Sequence, residues 1–346
     1  MAPTLEEVAQ LAGVSRSTVS RVINDHPSVR PDTREQVWQA VRKSGYQPHA
    51  VARSLATNRT QIIGMVIPEA VTTLFTDPFF PLLLRGATEV CNTHRYQLLL
   101  SLFDDPDGQE EMYQRILRSG YLDGVILASA SLDDPLIPNL LRDRIPFVSV
   151  GRHPNERVHY VDVDNVAGAR MAVEHLIRQG HQRIATITGR LDMTAGQDRL
   201  EGYRQTLRAH RISVEEDLIV EGDFTEGSGT VALQRLLPAS PDAVFVASDI
   251  MAIGALKALR QAGRQVPQDI ALVSFDDIPI ASAIEPSLTT VRQPIERMGS
   301  MAIEVLLSVL EGSSEEEASA HRIILPTELM IRASCGSALN RPNERR

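Results

Sequence analysis

A small all-α head followed by a larger α/β body is the architecture that three observations predict. The first 47 residues carry helix-period apolar residues broken at glycine and proline corners, whereas from Ile62 onward short apolar runs alternate with amphipathic stretches. Charge is divided along the same line: residues 1–60 hold eight Arg or Lys against five Asp or Glu, a balance of +3 inside a chain of net charge -9, which leaves -12 for the rest. A length of 346 residues exceeds one small domain and supports sizeable cores.

Three short helices are expected in the head. The first spans residues 5–12, with Thr4 as N-cap, acids in the first turn and Gly13 as the left-handed stop. The second opens at Ser15, whose hydroxyl is placed to cap "RSTVSRVI", and Leu11, Val14, Val19, Val22 and Ile23 keep an apolar rhythm across the corner. The third, "PDTREQVWQAVRKSG", has Pro31 in its first turn, Asp32 at the positive end of the dipole, and Arg42, Lys43 and Gly45 at its close. Val37, Ala40 and Val41, with Trp38, give it a core face. "PHAVARSLATNRT" reads as a linker that is helix-compatible but too short to be stable alone.

The body is expected to form βαβ units. Candidate strands are "IIGMVIP", "YQLLLSLF", "LDGVILAS", "IPFVSVG", "RIATITG", "DAVFVAS" and "DIALVSFDD"; candidate helices are "NVAGARMAVEHLIRQG", "DRLEGYRQTLRAH" and "DIMAIGALKALRQAG". Parallel sheets of this kind bind ligands beyond the carboxyl ends of their strands. "GSSEEEAS" reads as a solvated loop, and "EAVTTLFT" as a long loop before Asp77.

Several classes are disfavoured. No apolar run approaches the roughly 20 residues of a membrane span. "MAPTLEEVAQ" lacks the basic and apolar regions of a secretory signal, so a cytoplasmic protein with no membrane partner is expected. Cys91 and Cys335 belong to no CxxC pair and read as structural, and the nine His are scattered, so neither a metal site nor a cofactor is expected. No phosphate-binding glycine loop, HExxH or GxSxG motif appears, and an enzyme is not expected.

Helix, glycine corner, helix is the spacing of a helix-turn-helix, whose second helix enters the major groove with its N-terminal residues facing the bases. Ser15, Thr18 and Ser20 are suited to phosphates, and Arg16, Ser17 and Arg21 to base edges, Arg being suited to guanine. The alternative is a solvated amphipathic helix with a serine cap.

The stretches "TLEEVAQLAGVSRSTVSRVIN" and "TREQVWQAVRKSGYQPHAVARSLATNRT" together resemble the lactose-repressor (LacI/GalR) family of transcription regulators. The resemblance continues to about Arg332 through "VDVDNVAGARMAVEHLIRQGH", "RLEGYRQTL", "ASDIMAIGALKAL", "ALVSFDD" and "PSLTTVRQP". It implies a homodimer that binds a pseudo-palindromic operator with a central CG step, and a type I periplasmic-binding-protein-like body of two subdomains joined by three crossovers around a small effector. The implied limits are 1–47 for the head, 48–60 for a hinge helix and linker, 61–332 for the body and 333–346 for a tail without the leucine heptads of a tetramer.

By motif position the resemblance makes Arg16 and Ser17 the base-reading pair and Arg21 a guanine contact, and it places Thr4, Ser15, Thr18, Ser20, Asn24 and Thr33 against phosphates. Ala52 and Leu55 match the hinge helix, where paired leucines wedge into the minor groove; unstacking costs a few kcal/mol and is offset by the contact a kink allows. His49 and Arg30 depart from the family pattern, Arg30 standing where a capping Ser is common. In the body, Arg199 and Asp276 match the effector-binding pair, a fork and a carboxylate suited to neighbouring sugar hydroxyls; a structural ion pair is the alternative. Ser248 stands where many members have Asn. Phe80 is read either as a stacking surface or as core, and Arg152 and Gln293 as further cleft residues. A repressor released by a sugar is the expected function; a corepressor-dependent purine-type regulator and a sugar-binding protein without DNA binding are the alternatives.

Overall fold

The computed structural model describes residues 3–23, 28–46, 59–67, 71–103, 106–129, 131–312 and 319–336. These residues group into two compact units, 1–62 with 121–123, and 63–120 with 124–346.

The first unit contains α1 (Leu5–Ala12), α2 (Arg16–Ile23) and α3 (Pro31–Ser44). Thr4 and Glu7 form a reciprocal capping box at the start of α1. Gly13 ends α1 at φ 63°, a left-handed conformation that costs glycine nothing, and the Val14 and Gly13 amides donate to Ala9 and Gln10 in a Schellman closure. Ser15 then caps α2, its hydroxyl accepting from the Thr18 amide at 3.2 Å. Arg30 gives α3 no side-chain cap, as its chemistry predicts, and Pro31 starts the helix instead. Val8, Ala9, Val19, Val22, Val37, Ala40, Val41 and Tyr46 form the core, with Trp38 packed against it. Leu11 departs from the expected apolar rhythm and is 53% exposed, because it precedes the corner on the outer side of α1.

The second unit holds two six-stranded sheets. The first, in the order β11-β5-β4-β3-β1-β2, uses β1 (Ile62–Ile67), β2 (Gln97–Leu102), β3 (Gly124–Ala128), β4 (Phe147–Val150), β5 (His159–Val163) and β11 (Arg322–Leu325). The second, in the order β12-β10-β9-β8-β6-β7, uses β6 (Ile184–Thr188), β7 (Ile219–Glu221), β8 (Ala243–Val246), β9 (Ala271–Asp276), β10 (Thr289–Arg292) and β12 (Glu328–Met330). Every pairing with a defined register is parallel except β10 with β12. The chain therefore passes between the sheets three times: after β5, after β10 and after β11.

Helices cover both faces, as buried parallel strands require. The remaining α-helices are α4 (Val71–Thr76), α5 (Phe79–Thr93), α6 (Pro106–Met112), α7 (Leu136–Arg142), α8 (Asn165–Arg178), α9 (Thr194–Ala209), α10 (Glu226–Leu236), α11 (Asp249–Gln261) and α12 (Ile295–Glu311). The pairs α5 with α12, α8 with α9, and α10 with α11 pack most closely. Glycines make the first of these possible: a Cβ on Gly86 would lie 1.9 Å from the Glu296 carbonyl oxygen, and one on Gly299 2.1 Å from that of Leu83. α12 follows β10 of the second sheet yet packs on the first, so the first sheet is completed by late sequence.

Two expectations change. The stretch before Asp77 is not a loop throughout, since residues 71–76 form α4, which buries Leu74 and leaves Phe75 exposed. Five strands, β5, β7, β10, β11 and β12, were absent from the apolar runs because they are short or carry polar residues, as in "HYVDV" and "TTVR". Asn24, His49, Ala52, Leu55 and the acidic stretch 313–318 lie outside the described residues. Cys91 and Cys335 are buried and form no disulfide, and burial pushes Cys91 up to about 11. No helix among the described residues is long and apolar enough to cross a membrane.

Candidate functional site

Two sites emerge, one in each unit. In the head, the 3.6-residue period of α2 sends Val19 and Val22 into the core and leaves Ser15, Arg16, Ser17 and Arg21 exposed, with Thr18 and Ser20 half-buried. Ser15 Oγ lies 2.8 Å from both Ser17 Oγ and Thr18 Oγ1, a hydroxyl cluster at the N-terminal end of the helix where the backbone dipole favours an anion. Arg16 meets Glu6 of α1 at 3.1 Å in an exposed ion pair, weak enough to exchange for a stronger anion. Thr4 is exposed at the start of α1, and Thr33 is half-buried in the first turn of α3. The exposed face of α2 thus offers hydroxyls and guanidiniums together, the set that phosphate and base-edge contacts use.

In the body, the cleft residues gather at the carboxyl ends of parallel strands, where ligands bind in open α/β sheets. Arg199, in the second turn of α9, is the centre. It is 4% exposed, its Nε donates to Asn165 Oδ1 at 2.9 Å, and its Nη1 donates to the Ala247 carbonyl at 2.5 Å and approaches Asp276 Oδ1 at 3.4 Å. The guanidinium also lies over the Phe275 ring, 3.7 Å from its centroid. Asn165 Nδ2 donates to Asp162 Oδ1 at 3.1 Å, and Gln293 Nε2 donates to Asp276 Oδ1 at 2.6 Å. A chain of polar contacts, Asp162 to Asn165 to Arg199 to Asp276 to Gln293, therefore joins the end of β5 in the first sheet to the ends of β9 and β10 in the second.

The remaining predicted residues fall in or beside this cleft with distinct local roles. Ser248 caps α11, its hydroxyl accepting from the Met251 amide at 3.2 Å, while it also lines the cavity. Phe80 is both core and lining: it is buried, and Phe79 meets it edge-on at 5.4 Å between ring centroids. Arg152 reaches Asp198 at 2.6 and 2.8 Å across the cleft mouth, where Thr194 Oγ1 also donates to the Arg152 carbonyl. Sequence patterns missed Asp77, between α4 and α5, Phe79, at the first position of α5, and Asp223 and Phe224, on the loop after β7, all of which line the same cavity. Asp77, Asp223 and Phe224 sit on short connections that carry no periodicity, and only for Asp223 and Phe224 did a place just after a strand offer a signal.

Burial dominates the electrostatics. Asp276 is pushed well above the usual carboxylate range by burial, helped by the charges of Asp249 and Asp77 and opposed by Arg199. Asp249, whose carboxylate accepts from Ser274, Thr290 and the Ile278 amide, is raised to about 7 by burial, and Asp77 to about 6 by burial. Asp276 and Asp277 also sit at φ 116° and 57°, conformations unusual for non-glycine residues. An acceptor-rich cavity with one buried guanidinium suits a ligand that brings many donors, such as a polyol. Among the described residues no group of three or more His, Cys, Asp or Glu could hold a metal ion.

A helix-turn-helix head and a two-sheet body with a polar cleft define a DNA-binding transcription regulator with a ligand-binding domain. Residues 4–49 match the family described as bacterial regulatory proteins, lacI family, and residues 173–335 match the periplasmic binding protein-like domain. The chain is 43% identical to the HTH-type transcriptional regulator CelR of Thermobifida fusca over 96% of this chain and 98% of that protein. It is 37% identical to the ribose operon repressor of Escherichia coli (strain K12) over 94% of each. Among solved structures, the CelR-cellobiose complex matches with TM-score 0.76 at 41% identity, covering 96% of this chain and 99% of that one. The lac repressor dimer bound to operator and the anti-inducer ONPF matches with TM-score 0.83 at 26% identity, covering 97% and 99%. This chain belongs to the lacI family of bacterial regulatory proteins, and it is a transcription regulator.

Proposed function

We propose that this regulator is a cytoplasmic repressor, not an enzyme, that holds a two-fold symmetric operator as a homodimer and releases it when a sugar occupies the body cleft. The observation that carries the reading is the polar chain from Asp162 through Arg199 to Gln293, because a ligand bound on it touches the ends of strands from both sheets. Closure about such a ligand is a two-state change that a DNA-bound dimer can sense. The solved complex of a relative with cellobiose, and of another with operator as a dimer, supports both halves of the reading.

In this reading the units of function are a head at 1–47, a hinge at 48–60, a body at 61–332 and a tail at 333–346. Arg16, Ser17 and Arg21 read bases, while Thr4, Ser15, Thr18, Ser20, Asn24 and Thr33 hold phosphates. Ala52 and Leu55 enter the minor groove at a central CG step. Arg199, Asp276, Gln293, Ser248, Phe80 and Arg152 receive the effector.

The test is selection of bound duplexes from a random library at fixed moderate salt, followed by titration of operator affinity with sugars. A palindrome whose affinity falls as sugar is added is the expected result. A ligand that tightens operator binding would replace release by corepression, and binding of sugar with no change in operator affinity would remove the coupling altogether.

A further inference from the structure

We infer that Asp123 is a positioning residue for operator binding, because its carboxylate fixes the direction in which the chain from the head enters β1. The inference rests on the DNA-binding reading above and adds to it a residue outside both the helix-turn-helix and the cleft.

Thr60 and Gln61 are the last residues before β1, and Asp123 is the last before β3. The two strands are neighbours with Ile63 opposite Gly124, so their own pairing brings Asp123 beside the root of β1. The Asp123 amide donates to the Ile62 carbonyl at 2.8 Å. Its carboxylate then accepts three times. Oδ1 takes the Thr60 amide at 2.6 Å and the Thr60 hydroxyl at 2.8 Å, and Oδ2 takes the Gln61 amide at 3.0 Å. Bonds to a carboxylate are roughly twice as strong as neutral ones. The Thr60 hydroxyl also accepts from the Ile62 amide at 3.2 Å, so one oxygen bridges the carboxylate and the strand. These residues all fall in the first unit, which takes in 121–123 together with 1–62.

The second sheet holds a related arrangement that carries no head. There β6 and β8 pair with Ile184 opposite Ala243, and Asp242 is the last residue before β8. Its amide donates to the Arg183 carbonyl at 3.0 Å, and its Oδ2 accepts from the Gln182 and Arg183 amides at 2.9 and 3.0 Å. An aspartate at this register closes a strand pair in both sheets. By the same register, Thr60, Gln61 and Ile62 correspond to His181, Gln182 and Arg183, so Asp123 takes its two amides one residue earlier in the incoming chain than Asp242 does. Gln61 stands at φ 59°, whereas neither Gln182 nor Arg183 has a positive φ. A non-glycine residue keeps such a left-handed conformation where its surroundings impose it. Where Thr60 gives Asp123 a hydroxyl bond, His181 Nδ1 lies 3.6 Å from Asp242. The chain reaching β6 is also held already by α8, the His181 amide donating to the Leu176 carbonyl. Asp242 therefore closes a pair of strands, while Asp123 in addition bends and holds the chain that comes from the head. Fixing that chain at its root removes conformations the head would otherwise sample, and less freedom remains to be lost when DNA is bound.

The experiment measures the affinity of the full-length protein for the palindromic duplex recovered by selection, together with the melting temperature, for wild type, Asp123→Ala, Thr60→Val, Gln61→Gly, Gln61→Val and Asp242→Ala. Asp123→Ala is expected to weaken duplex binding by about tenfold or more, and Thr60→Val, which removes one of the three bonds, by about threefold. Asp242→Ala should lower the melting temperature as Asp123→Ala does, yet change duplex affinity by less than about twofold. Gln61→Val should bind more weakly than Gln61→Gly, since a β-branched side chain resists the left-handed conformation that glycine adopts freely. Unchanged duplex affinity in Asp123→Ala, or in Thr60→Val where Asp123→Ala does not fold, would overturn the inference. Equal losses of duplex affinity in Asp123→Ala and Asp242→Ala would overturn it too, by marking general destabilisation, as would tighter binding by Gln61→Val than by Gln61→Gly. Each of these leaves the DNA-binding reading intact. Recovery of no duplex by the wild type would overturn that reading and the inference with it.

Discussion

Arg199 brings a formal positive charge into a site that is almost closed to water, and four partners from three segments of the second unit meet it there: Asn165, Ala247, and Phe275 with Asp276. Removing one member of such a set leaves the others uncompensated, which costs about 3–5 kcal/mol when a charge loses its counterion in the interior. Arg199→Ala should therefore lower the unfolding free energy of the body by about that amount in urea titrations, and abolish sugar-dependent release. Asp249 and Asp77 set a pH trend. Their folded carboxyls titrate near about 7 and about 6, above their ordinary value of 3.8, so the native state holds protons that the unfolded chain has released. Their contribution is complete below about pH 4 and is lost as pH rises through about 6 and about 7. Thermal melting should show the body losing stability between these values, and Asp249→Asn should flatten the decline; a melting temperature that rises across that interval in wild type would contradict the burial argument. The Arg199 and Asp276 pair was legible in the sequence only through the resemblance of "RLEGY" and "SFDD", because nothing in residue spacing announces that positions 77 residues apart will meet.

Elements were legible in proportion to how much of their surface is buried in a regular pattern. α2 and α3 followed from caps, corners and apolar period, and β1, β3, β4, β6, β8 and β9 from continuous apolar runs that buried parallel strands require. The edge strands β7, β11 and β12 expose alternate or outer residues and so lose that signature. α4 escaped because a helix of 6 residues gives too short a window for periodicity. Two substitutions test elements directly. Ser15→Ala removes the acceptor for the Thr18 amide and should cost the head about 0.5–2 kcal/mol, read by the melting of the α-helical signal of the isolated unit against the full chain. Gly299→Ala forces α12 away from α5 and should cost about 1–3 kcal/mol, with Gly299→Val worse; a melting temperature equal to wild type would show that the two helices can separate freely.

At the scale of the whole molecule, an acidic chain carries a basic end, and the two parts should respond differently to salt. If about six to ten phosphates are contacted by a pair of heads, operator affinity falls about 10³–10⁵-fold between about 50 and 200 mM salt. Sugar affinity, governed by neutral hydroxyls in a cleft, should stay nearly constant over the same range; parallel titrations of both ligands check this, and a salt-independent operator affinity would take the head off the phosphate backbone. The threefold passage of the chain between the sheets has a separate consequence, in the timing of synthesis. The first sheet's strands up to β5 end at residue 163, yet α12, which packs on that sheet, begins at 295, and its edge strand β11 ends at 325. Roughly 130 residues must be translated between the two, about 7–26 s at about 5–20 residues per second. During that interval the α5 glycine surface and the β5 edge have no partner, so a ribosome-held chain ending near residue 200 should be cut by protease within its first sheet, and a chain released at full length should not. The body is thus a single unit of birth as well as of folding, and a nascent chain is most exposed to chaperones and aggregation while its second sheet is still being made.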